Sequence, residues 1–209
     1  MSYRYLAAAL LALVVFSTFL AGCTSIRLSD THNTTVALQN YNTWANAQKT
    51  YGSQAKDAVA QIGGHISEYN SNIATGSPDP VTLRANVVAD TQVLQQWSNG
   101  EASLDTATDV FDSATSKLDY HSDATKQAVG ILAQDMRIYA VDMKNTQQHL
   151  VEYTNYMNAY LAPDDPNYWN DANRVSAMNA NADAIKSMAD ADQDLAAVVS
   201  AAKKLESSQ

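Results

Sequence analysis

His149 and Glu152 stand one helical turn apart, a spacing that two metal ligands can share. Di-iron bundles use the opposite order, Glu-x-x-His, twice, with two further glutamates on facing helices. This chain has only Glu68, Glu101, Glu152 and Glu206, and no Glu-x-x-His. His32, His65 and His121 form no cluster with ligand spacing, so no metal is expected. Asp190-Ala191-Asp192-Gln193-Asp194 opens like a calcium loop. The EF-hand then requires glycine at its sixth position and glutamate at its twelfth, where Leu195 and Ala201 stand. Asp105, Asp109 and Asp112 share one helix face and read as a solvated stripe. Met136, Met143 and Met157 sit at core spacing, which packing explains without a haem, and no cofactor is expected. There is no Gly-x-Ser-x-Gly, no glycine-rich phosphate loop, and no thiol other than Cys23. These absences argue against an enzyme.

The aromatic residues are the more suggestive set. Tyr139, Tyr153, Tyr156 and Tyr160 crowd one segment, and Tyr168 and Trp169 lie just past a turn. Buried tyrosine hydroxyls need partners, which Asn155, Asn158 and Asn167 are placed to supply. This pattern fits an aromatic core with a polar network at a bundle end. Its functional counterpart is a cleft for a small polar ligand or a partner helix, built from Tyr153, Tyr156, Tyr160, Tyr168 and Trp169. Asn33-Thr34-Thr35 is a glycosylation sequon with Asn33 as acceptor.

The elements that would position these residues are all helical. Tyr41, Trp44, Gln48, Tyr51, Ala55, Ala58, Ile62, Ile66, Tyr69 and Ile73 follow spacings of three and four, the seam of a helix packed nearly parallel to its neighbours. Gly76-Ser77-Pro78-Asp79-Pro80 ends that segment. A shorter segment carries Leu83, Val87, Leu94 and Trp97 and closes at Asn99-Gly100. Another carries Leu104, Ala107, Phe111, Ala114 and Leu118. Ser122 is an N-cap for the fourth, whose seam runs unbroken from Val129 through Met143 to Tyr160. Ala162-Pro163-Asp164-Asp165-Pro166 separates it from the fifth, with Asp165 as N-cap and Pro166 at N1. No strand-like alternation with turn chemistry occurs.

The predicted fold is therefore all-α: an elongated antiparallel bundle over residues 35–206. It has three long helices and a short helical hairpin that turns at Asn99-Gly100. In that arrangement Tyr120 lies at the same end as Ser77, and Pro163 to Pro166 lie at the end where the first helix begins.

The N-terminus carries the one recognisable signature. Arg4 precedes an apolar run from Leu6 to Ala21, and the run closes in Leu20-Ala21-Gly22-Cys23. A charged start, an apolar core and small residues at the cut site make a secretory signal. The terminal tetrapeptide resembles the lipobox of prokaryotic lipoproteins. That resemblance covers residues 1–22 as signal peptide and implies cleavage before Cys23 and acylation of its thiol. It further implies membrane lipid as a partner and a place at the outer face of the cell membrane, or at an outer membrane. Residues 23–34 are polar and aperiodic and read as a flexible tether.

Removing residues 1–22 takes away Arg4 and no acid, so the net charge moves from −9 to −10. An acidic chain has nothing to displace counterions from phosphates, which argues against nucleic acid and against adhesion to anionic headgroups. Two functions remain open. One is a structural or interaction bundle that serves another envelope protein as scaffold or spacer. The other is an extracytoplasmic bundle that binds or senses a small ligand.

Overall fold

The computed structural model describes residues 28–76, 79–161 and 170–207. Cys23, Tyr168, Trp169 and the Asp165-Pro166 pair lie outside them. The described residues form four helices and no strand: α1 (Leu28–Ala74), α2 (Pro80–Thr115), α3 (Asp123–Leu161) and α4 (Asp171–Ser207). At 1.5 Å per residue they rise about 70, 54, 58 and 55 Å. None of them is long and apolar enough to cross a membrane.

Local chemistry sets the ends. Asp79 caps α2 by accepting from the Val81 backbone N–H at 3.0 Å and the Thr82 hydroxyl at 2.6 Å, with Pro80 at the first helical position. Pro80 lacks only an N–H that a helix start leaves unbonded in any case. Gly76 takes φ +67, a left-handed conformation that costs glycine little. The Ser122 hydroxyl accepts from the Thr125 N–H at 3.4 Å at the start of α3. Asn170 caps α4, its Oδ1 accepting from the Ala172 N–H at 2.9 Å.

Side-chain pairs fix the directions. Trp44 meets Thr108, and Gln61 meets Asp90, so α1 and α2 run antiparallel. Arg137 with Asp112 and Lys144 with Glu101 pair α3 antiparallel to α2. Asp142 with Asp194, and Asp135 with Lys204, do the same for α3 and α4. The bundle is up-down-up-down. Its most extensive pairing is α3 with α4, followed by α1 with α2. Buried Ala177, Ala180, Ala184, Ala191, Ala201 and Ala202 give α4 a small-residue seam, which lets the two backbones approach closely. The α1–α2 side is filled with Trp44, Tyr51, Tyr69, Trp97 and Phe111.

Three expectations are corrected. First, α2 runs continuously through Asn99-Gly100, so there is no short hairpin and all four helices are long. Gly100 is buried where α1 crosses closely: a Cβ there would meet the Gln54 carboxamide and come within 3.1 Å of the Tyr51 ring. This glycine serves close packing and not a turn. Second, the ends are exchanged. His121 N–H donates to Asp30 Oδ1 at 2.9 Å, and Asn33 Nδ2 to the Asp119 carbonyl at 2.7 Å. Tyr120 therefore lies beside the start of α1, and Tyr160, near the end of α3, packs on Tyr69 near the end of α1. Third, residues 28–34, inside the segment read as tether, are helical. Asp30 and Asn33 are satisfied by the 119–121 turn, and Thr34 is buried. Polar residues that look like linker in the sequence are the partners of a distant turn.

Candidate functional site

Of the five aromatic positions singled out from sequence, the three that are described do not make one surface. Tyr153 and Tyr160 point into the core, while Tyr156, three residues on from Tyr153, is 40% exposed. The 3.6-residue period turns it away from the seam. Tyr168 and Trp169 are outside the described residues. Tyr160 packs edge-on against Tyr69, with ring centroids 6.3 Å apart and planes at 82°. Burial raises the Tyr153 and Tyr69 hydroxyl pKa values well above the ordinary range, and for Tyr69 the Tyr160 hydroxyl adds to the effect. These hydroxyls stay protonated across the biological range.

Beside Tyr153 lies a group that the sequence reading passed over. Asp90 of α2 is fully buried. Its Oδ1 accepts from Gln61 Nε2 at 3.2 Å and meets His65 Nδ1 at 2.6 Å, both from α1. Its Oδ2 is buried with no hydrogen-bond partner from the protein. Desolvation raises the Asp90 pKa, while Gln61 and His65 act to lower it. The Asp90 charge is felt at Tyr153, where it adds to the rise. The His65 side chain is 25% exposed, so the pair connects the interior to solvent. A signal was present: Leu83, Val87, Asp90, Leu94 and Trp97 are spaced four, three, four, three. An acid on an apolar seam is rarely tolerated unless it has partners.

A second polar patch sits nearer the middle of the same α1–α2 face. Tyr51 Oη, Gln54 Oε1 and Trp97 Nε1 are buried without partners at hydrogen-bonding geometry. Tyr51 and Trp97 rings lie 5.7 Å apart. Two other polar seam residues of α1 are matched. The Trp44 indole donates to the Thr108 hydroxyl at 3.1 Å, and Gln48 Nε2 donates to Tyr139 Oη at 3.0 Å. Burial takes the Tyr139 pKa to about 12, held back by Gln48.

The remaining positions have modest roles. His149 Nδ1 lies 3.3 Å from Glu152 Oε2 on a half-exposed surface, an i, i+3 pair on one helix. No group of three or more His, Cys, Asp or Glu among the described residues is placed to hold a metal ion. Asp109 is solvated as expected. The Asp190–Asp194 run is not uniformly so. Asp194 shares a hydrogen bond with Asp142 of α3, and its pKa is raised to about 6 by desolvation and by Asp142, Asp135 and Asp190. Asn33 is buried within α1, and the amide nitrogen that a glycan would occupy is bonded to Asp119. The sequon is not presented as an acceptor requires.

Comparisons with protein-family models, with curated proteins and with solved structures return no match. The functional reading therefore rests on the residues alone.

Proposed function

We propose that this chain is a lipid-anchored protein of the cell envelope whose helical bundle serves as scaffold or spacer for another envelope protein. Membrane lipid holds it through acylated Cys23, at the outer face of the cell membrane or at an outer membrane. The reading involves no catalysis, cofactor, metal or nucleic acid. The observation that carries it is the short distance from the lipobox to the bundle. Leu28, the first described helical residue, is five residues beyond Cys23, and five residues span about 17 Å at most. A lipid on Cys23 thus holds the base of α1 close to the bilayer, with the 116–122 turn beside it. A helix rising about 70 Å then carries the Tyr69 and Tyr160 end away from the surface. Such a body sets a fixed height, which a spacer needs and a freely tethered domain does not provide.

Cys23→Ser in the producing cell tests the anchor. The expected result is loss of lipid labelling and an uncut or released product. Correct cleavage with unchanged membrane partition would contradict it. Co-purification from solubilised membranes through a C-terminal tag tests the scaffold role, with a stoichiometric envelope protein as the expected companion.

A second reading, a bundle that binds or senses a small polar ligand, is favoured by one observation. The buried acceptors Asp90 Oδ2 and Gln54 Oε1 and the Trp97 indole donor have no partner at hydrogen-bonding geometry, and such groups call for water or a ligand.

A further inference from the structure

We propose that His65 and Asp90 form a proton-gated clasp, tying the last turns of α1 to the first turns of α2 while one proton lies between them. Loss of that proton loosens the joint.

The geometry carries the inference. Asp90 is the only acid among the described residues that is wholly buried, and it sits in the seam between Val87 and Leu94. A buried carboxylate costs several kcal/mol unless it is paired and hydrogen-bonded. Here the pairing is complete on Oδ1, with His65 at 2.6 Å and Gln61 at 3.2 Å, and missing on Oδ2. With one proton between them the two groups are either an ion pair or a neutral acid beside a neutral imidazole, and both carry no net charge. With that proton gone, a full negative charge stays in the core. The neutral imidazole and the Gln61 amide hold one oxygen, and nothing from the protein holds the other. Because His65 is partly exposed, the proton has a route to solvent without unfolding of the bundle.

The surroundings do not supply a substitute charge. From α1, Tyr69 is buried, and Glu68 accepts from Asn86 Nδ2 of α2 at 2.8 Å at the surface. From α3, Tyr153 is a neutral hydroxyl whose proton the Asp90 charge helps to retain. From α4, Arg174 and Asp171 act on Tyr69 and pair with each other at 3.1 Å. The sign follows. Burial raises the Asp90 pKa, so the native state keeps a proton that the unfolded chain has released. Stability from this source is fully present at low pH and is lost as pH rises through the native pKa. Where the native pair holds one extra proton, the folding constant falls about tenfold per pH unit.

Urea unfolding of the full chain in detergent micelles from pH 4 to 9, with amide hydrogen exchange, tests the clasp. Wild type is compared with Asp90→Asn, both in an Asp194→Asn background to silence that titration. The clasp predicts that wild type loses stability relative to Asp90→Asn as pH rises. Exchange over residues 58–72 and 83–94 should accelerate in wild type alone. Parallel pH profiles for the two proteins would overturn it. If Asp90→Asn does not fold, nitrogen chemical shifts of the wild-type His65 ring decide. At the low-pH end of the series, a ring protonated on both nitrogens, or a neutral ring protonated on Nε2 with Nδ1 accepting a hydrogen bond, supports the clasp, and a neutral ring protonated on Nδ1, the state without the shared proton, overturns it.

Discussion

The two tightest helix pairs are built on different principles. Between α3 and α4 the contact is made by alanines on α4, and the backbones come close. Between α1 and α2 the contact is made by Trp44, Tyr51, Tyr69 and Trp97, with Gln54, Gln61, His65 and Asp90 among them. Five of the buried side-chain atoms without partners at hydrogen-bonding geometry, Tyr51 Oη, Gln54 Oε1, Tyr69 Oη, Asp90 Oδ2 and Trp97 Nε1, belong to this face. Small residues bury backbone against backbone and leave little to satisfy. Large amphipathic residues bury more area and bring polar atoms with them. The difference locates rigidity on one side of the bundle and adjustable chemistry on the other.

Breaking each side should look different. Trp97→Ala removes a fully buried ring and should cost about 3–5 kcal/mol in chemical denaturation. Ala191→Leu on the opposite side adds volume where α4 has no room, and should cost about 1–3 kcal/mol. A negligible cost would mean that α3 and α4 are not closely packed there.

Glycines sharpen the contrast with smaller effects. A Cβ at Gly63 or Gly64 meets nothing within 4 Å, whereas at Gly100 it meets Gln54 and Tyr51. Gly63→Ala and Gly64→Ala should each stabilise by about 0.5–1 kcal/mol from helix propensity alone. Gly100→Ala should lose that gain to the shift it forces on Gln54 and Tyr51. Equal stabilisation at all three sites would remove the close-approach account of α2.

The smallest effect concerns charge on the α3–α4 side. Asp194 has a native pKa raised to about 6, against an ordinary value of 3.8. Its contribution is therefore favourable at low pH and lost as pH rises through about 6. Asp194→Asn should stabilise at pH 7.5 by well under 1 kcal/mol, because the group is partly solvated, and should do nothing at pH 3.5. Asp109→Ala, on a solvated face, should stay within about 0.5 kcal/mol at either pH.

Much of this was legible in the chain because helix seams obey a period that packing enforces. The unbroken run from Val129 to Tyr160 is buried where it was expected, and the chain turns near Tyr120 with Ser122 as cap. What was illegible depended on partners far away in sequence. Asn99-Gly100 has turn chemistry, yet the approach of Tyr51 and Gln54 turns that glycine into a contact point inside a helix. Asp30 and Asn33 look like linker until the 119–121 turn is beside them. Asp90 interrupts an apolar seam, and only Gln61 and His65, 29 and 25 residues earlier, explain it. Tyr156 belongs to the aromatic cluster by composition and to the surface by period.

The account turns on the α1–α2 face holding polar atoms that the protein alone does not satisfy, and the two indoles of that face provide the direct test. Trp44 Nε1 donates to Thr108, while Trp97 Nε1 is buried with no partner at hydrogen-bonding geometry. Magnetisation transfer from water to the indole protons, measured by NMR on the folded protein, reports whether water completes the set. The account predicts transfer to Trp97 and none to Trp44. Silence at both indoles would show a dry α1–α2 face and contradict it.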